Sequence, residues 1–122
     1  VQPLPGHQDA LQNNLYVVTF PEGCTVVQTG DQWQKDDMPW LEKVSEKLAR
    51  QPDLLIIDCW AMEMETTIRG FGPRRVIAGH ENELGHTIDH REALWLTQHK
   101  FDTMALPMPC FVMAWGESLR FK

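Results

Sequence analysis

Positive charge is scarce in this chain: 11 Lys and Arg stand against 17 Asp and Glu in 122 residues, for a formal net charge of −6. A protein that binds a nucleic-acid backbone needs a basic stripe to displace counterions, and the nearest approach here is the pair Arg74 and Arg75. The composition therefore argues against nucleic acid as a partner. Runs of about 18 apolar residues are missing, as is the basic-then-apolar pattern of a signal peptide, so neither a membrane span nor export is expected and the predicted location is cytoplasmic. Cysteine is sparse too. Cys24, Cys59 and Cys110 are odd in number, share no C-x-x-C spacing and sit among β-branched or aromatic residues, which reads as buried free thiols. Cys59, at a strand end, is the one with a case for reactivity. There is no glycine-rich phosphate loop, no defensible Ser-His-Asp spacing, no internal repeat and no low-complexity tract.

What is present is enough apolar material for one folded domain: 43% hydrophobic residues, with five tryptophans. The organising stretch is Gln51 to Trp60. Its four consecutive branched aliphatics, Leu54 to Ile57, leave no polar face and predict a central strand covered on both sides, with Ile56 and Ile57 facing opposite layers. Asp58 then emerges at the strand end, where open α/β sheets place their binding crevices.

Before this strand, Val1 to Asn14 carries prolines, a glycine and amides without period and reads as a flexible arm. Leu15 to Phe20 and Cys24 to Thr29 flank a Pro21-Glu22-Gly23 turn and predict a hairpin. Met38 to Arg50 has acids ahead of it and bases at its end, with Leu41, Val44 and Leu48 on one face, which predicts a helix capped by Asp37 and stopped by Pro52. After the strand come a short helix in Ala61 to Arg69, a breaker at Gly70-Phe71-Gly72-Pro73 and a brief strand at Val76-Ile77-Ala78. His80 to Lys100 has two readings. One is a helix from near Asn82 that tolerates Gly85; the other, favoured one is a turn and then a helix over His90 to Lys100 with Asp89 and Glu92 as a capping box. Cys110 to Trp115 reads as a buried strand and Leu119 to Lys122 as a short last one. The predicted fold is α/β: a single domain over 15–122 with a mixed sheet of about five strands and two to three helices.

The order hairpin, helix, buried strand over Leu15 to Thr67 is similar to that of the anti-anti-sigma (STAS) domains. Where that family presents a phosphorylatable serine, this chain has Glu63-Met64-Glu65-Thr66-Thr67. Gln51 to Met64 also resembles the phosphoacceptor strand of response-regulator receiver domains, with Asp58 in the acceptor place. The acidic pair of that family's first strand is not found here, nor is its lysine before Pro107. The resemblances imply the fold class, and the motifs that carry either activity are missing.

Three groups of residues have chemistry to offer. Trp33 and Trp40 flank acids at Asp31, Asp36 and Asp37, and exposed tryptophan among carboxylates suits a surface for a basic protein partner. His80, Glu83, His86 and His90 lie in the densest polar stretch. Asn82-Glu83-Leu84-Gly85-His86 resembles the zincin H-E-x-x-H helix with asparagine for the first histidine, and on a single helix Glu83, His86 and His90 share a face able to hold zinc or another divalent transition metal. Asp58, Glu63 and Glu65 form a carboxylate set near a strand end, suited to magnesium, to general-base work or to modification. His7 and His99 read as incidental. The expectation is a small acidic, non-catalytic interaction or regulatory module that binds another protein and has no cofactor. The alternatives are a metal protein or metal-dependent enzyme using His80 to His90, and a STAS-like or receiver-like signalling domain modified at Asp58 or Thr66.

Overall fold

Every second side chain is buried along Leu15-Tyr16-Val17-Val18 and again along Thr25-Val26-Val27-Gln28. That period of two belongs to strands with one covered face. The computed structural model describes residues 1–80, 87 and 92–120. Within them the protein is a single α/β domain built on a mixed sheet of six strands in sequence order: β1 (Gln2–Gln8), β2 (Leu11–Thr19), β3 (Thr25–Gln28), β4 (Leu54–Asp58), β5 (Val76–Gly79) and β6 (Cys110–Phe111). The first three run antiparallel and the last four parallel, with Val27, Leu55 and Val76 in one row across the middle. Parallel neighbours need crossovers. These carry α1 (Met38–Leu41), α2 (Met64–Phe71) and α3 (Leu94–Met104), and no described helix is long and apolar enough to cross a membrane.

The core lies between the sheet and these helices. Leu15, Val17, Val27, Leu55, Ile57, Val76 and Ala78 meet Leu41, Val44, Met64, Ile68, Phe71 and Phe101 in one buried cluster. The other sheet face is more open. Ile56, Val26 and Ile77 keep partial exposure and Tyr16 is 40% exposed. Leu54 to Ile57 is indeed the inside of the sheet, but the buried apolar residues of the described helices all join the cluster on the Leu55 and Ile57 side. The expectation of a strand covered on both sides is therefore corrected, among the described residues, to one helical layer.

Five further expectations are corrected. Residues 1–14, read as a flexible arm, are β1 and the start of β2, paired from Gln2↔Val17 to Gln8↔Leu11. Pro3 and Pro5 fit because β1 is an edge strand, where a missing N–H breaks no ladder, while Leu4 and Gly6 point inward and are buried. The helix over Met38 to Arg50 is broken into α1 and a 3-10 turn at Val44–Lys47. Gly70 of α2 packs closely against the backbone of Leu41 and Glu42 at the end of α1, and beyond it the chain tightens to the i→i+3 bonds Lys43 N to Trp40 O (3.2 Å) and Glu46 N to Lys43 O (3.0 Å). The helix placed over His90 to Lys100 runs instead from Leu94 to Met104, with Ala93 at its N-cap and no side-chain cap bond. Asn82, Gly85 and Asp89, on which the two readings of that stretch turn, lie outside the described residues. Finally, the strand read over Cys110 to Trp115 ends after Phe111, and Leu119 and Arg120 form no strand. A turn closed by Glu117 N to Ala114 O at 3.1 Å lies between them.

Candidate functional site

The C-terminal ends of β3, β4 and β5 lie side by side because those strands run parallel, and a cleft of about 780 Å³ opens there. A residue at or beyond the end of each strand reaches it: Asp31 in the loop after β3, Asp58 at the end of β4, and His80 just past β5. The β1–β2 turn, Gln8 to Leu11, closes the remaining side.

Local backbone chemistry holds these groups in place. Thr29 ties β3 to β4, its N–H donating to Ile56 O at 3.1 Å and its hydroxyl accepting the Asp58 N–H at 3.2 Å. The Asp58 carboxylate accepts the Trp60 N–H at 2.9 Å, a short Asx turn that sets Trp60 at the cleft. Trp33 is clamped by its backbone: its N–H donates to His7 O at 2.9 Å and its carbonyl accepts from Asp9 N at 3.0 Å. Both indoles line the cleft while remaining about half exposed, Trp33 at 46% and Trp60 at 42%. Asp58 is nearly buried, at 7% exposure, and forms the floor, whereas Asp31 and Asp9 stand toward solvent. His80 Nδ1 lies 3.8 Å from Asp31 Oδ1, an ion pair when the imidazole is protonated.

Of the acidic, tryptophan-bearing patch expected from sequence, only Asp31 and Trp33 reach this cleft. Asp36 is exposed on the short 3-10 turn Lys35–Asp37. Asp37 stands at the N-cap position of α1, but its carboxylate does not cap the helix. It is buried, makes no capping bond, and accepts hydrogen bonds from Gln32 Nε2 at 2.7 Å and Trp40 Nε1 at 3.0 Å, with His7 Nδ1 at 3.1 Å. His7, read as incidental, thus fastens β1 to the loop after β3. Trp40 is partly buried against the core, with Lys47 Nζ 5.3 Å from its ring centroid, and does not line the cleft.

This network has a pH consequence. Burial pushes the Asp37 carboxyl up, but the hydrogen bonds from Gln32, Trp40 and His7 and the charge of His7 outweigh it and hold the group below its ordinary value. A carboxyl lowered by folding contributes stability above its unfolded pKa and loses it as pH falls through the folded value. Stability should therefore decline as pH drops below about 4, and Asp37→Asn should flatten that part of the curve while costing about 1–3 kcal/mol at neutral pH. Urea denaturation at stepped pH measures both; an unchanged acid slope in Asp37→Asn would show that the network does not set the acid stability.

The carboxylate set does not gather at the strand end. Glu65 pairs with Arg69 at 2.8 Å on the surface of α2, and Glu63 lines a different hollow with Lys35, Glu42 and Thr66. Thr66 donates weakly to Glu63 at 3.5 Å. Of the histidine set, His80 lies at the cleft, while Glu83, His86 and His90 lie outside the described residues; among those described, no group of three or more His, Cys, Asp or Glu is placed to hold a metal ion. Cys59 is fully buried, and its carbonyl accepts Lys100 Nζ at 3.0 Å. Trp60 and the Asp9 turn went unrecognised at the sequence level, although a tryptophan two residues beyond a strand-end aspartate is a readable signal. No family model, curated protein or solved structure matches this chain.

Proposed function

We propose that the protein is a non-catalytic binding module that takes up a segment of another protein in the strand-end cleft. The observation that carries this reading is the pairing of two half-exposed tryptophans, Trp33 and Trp60, across loops from different strands on one concave surface. Half-exposed indoles in a concavity leave apolar area for a partner to cover, and tryptophan dominates interface hot spots for that reason. A cleft of about 780 Å³ suits a few residues of an extended segment.

The test is selection of displayed peptides on the intact protein, with counter-selection on a Trp33→Ala, Trp60→Ala variant. Peptides should be enriched that bind the wild type and compete with one another, and Trp33→Ala alone should weaken them by about 2 kcal/mol or more while leaving the urea midpoint nearly unchanged, since that side chain is half solvated. Peptides that bind the double variant equally well would place the interface elsewhere.

A further inference from the structure

We infer that β6 is an edge to which a second copy of this chain adds antiparallel, joining two six-stranded sheets into one across a twofold axis. Cys110 to Trp115 is a continuous apolar run, yet only Cys110 and Phe111 pair with β5. Phe111, Val112 and Met113 stay partly exposed. Val76 N donates to Pro109 O at 3.0 Å, so Pro109 and Phe111 present their backbone to β5, and by strand alternation Cys110 and Val112 present theirs to the outside. Among the described residues no backbone hydrogen bond reaches that outer side of Cys110 or Val112. The free stretch ends at Ala114, whose N–H donates to the Glu117 carboxylate at 2.7 Å.

Charge and topology together select a second copy as the occupant. An open sheet edge ordinarily carries a charge, lysine above all, that repels another strand. Here no residue from Thr103 to Gly116 is charged, although 23% of the chain is. A net charge of −6 opposes self-association in general, so two copies meet with least repulsion along this strip. The opposite edge is closed to a strand. In β1 the His7 N–H turns outward to Gln32 Oε1 at 3.1 Å and its carbonyl accepts the Trp33 N–H; the same outward positions two and four residues earlier are Pro5 and Pro3, which have no N–H. Head-to-tail addition of β6 to β1 is thereby blocked, and β6 pairing with itself is the closed solution, a dimer rather than a fibre.

The free backbone groups set the register. Cys110 and Val112 of one copy exchange N–H and C=O with Val112 and Cys110 of the other, which places Phe111 opposite its own twofold mate in a non-hydrogen-bonded pair, where side chains approach most closely. Phe111 continues the row Gln28, Ile56 and Ile77, on the sheet face away from the helices, whereas Cys110 and Val112 pack on the core cluster. Across the axis Ile56, Ile77 and Phe111 therefore run on into their mates as one apolar strip, with an aromatic cross-strand pair at its centre.

The experiment is sedimentation velocity on the intact protein from about 1 to about 300 μM, a range suited to an interface this narrow. A reductant keeps the free cysteines from cross-linking copies. The mass should rise from that of one chain toward that of two. Over the same range the Cys110 and Val112 amide protons should come to exchange at least about fivefold more slowly, while those of β1 stay unchanged. Phe111→Lys and Phe111→Glu should each remain monomeric, because like charges then face each other across the axis, and an equimolar mixture of the two should restore a dimer, which also shows that both variants fold. Trp33→Ala with Trp60→Ala should dimerise like the wild type, since the cleft takes no part. A wild type that stays monomeric throughout, a dimer whose Cys110 and Val112 amides gain no protection, or a Phe111→Lys protein that dimerises as well as the wild type would overturn the inference.

Discussion

Replacing Gly70 with alanine should destabilise the protein by about 3 kcal/mol or more, against the usual direction of that change. Glycine inside a helix is ordinarily about 1 kcal/mol worse than alanine, so the substitution normally stabilises. Gly70 lies in the last turn of α2, buried, where that helix crosses α1. A Cβ there would sit 2.8 Å from the carbonyl carbon of Leu41, closer still to its oxygen, and 3.1 Å from Glu42 Cα. These are backbone atoms, which cannot swing aside like the end of a side chain; relief requires moving α2 off α1, opening the contact that buries Leu41 and Ile68. Gly72 is the internal control. It ends α2 with φ +53°, and an added Cβ would come no nearer than 3.8 Å, to Arg69 O. Gly72→Ala should therefore cost only the left-handed strain, about 1–2 kcal/mol. Urea denaturation of both variants decides it: a Gly70→Ala protein as stable as wild type would mean that α1 and α2 do not approach this closely.

The same crossing explains part of what the sequence hides. Local signals over Met38 to Arg50, acids first, bases last and apolar residues at helical spacing, all favour one continuous helix, yet none of them encodes where another helix will pass. Tertiary packing at Leu41 overrides them. Asp37 misleads for a related reason: a carboxylate just before a helix resembles a cap, and only the long-range approach of His7 and Gln32 makes it a buried acceptor. β1 hides because prolines and amides look like a tail until the strand is known to lie at an edge. By contrast, β4, β5 and the β2–β3 hairpin were readable, since their patterns are local and their neighbours agree with them. The cleft was half readable. Asp58 could be placed at a strand end, and Asp31 and Trp33 could be marked as surface groups, from their own neighbourhoods. That they meet Trp60 and His80 depends on β3, β4 and β5 being adjacent and parallel, a fact of topology rather than of any one stretch.

Ile57→Ala and Ile56→Ala, adjacent on one strand, should have unequal costs, and the inequality reports how the sheet is covered. Ile57 is fully buried and belongs to the cluster with Leu55, Val27, Ile68 and Phe71. Removing three of its carbons leaves a cavity in tightly packed surroundings, so the loss should fall in the upper half of the range of about 2–5 kcal/mol seen for such truncations. Ile56 points the other way, pairs in register with Gln28 and Ile77, and keeps part of its surface in water. Less apolar area is lost there and solvent can fill the gap, which limits the cost to about 1–2 kcal/mol. Denaturation midpoints at equal m-values, converted to free energies, give the comparison directly. Equal large losses would require a second layer over the Ile56 face, and equal small losses would remove β4 from the centre of the core. A gap of about 1.5 kcal/mol or more, with Ile57 the costlier, is the result that matches one covered face.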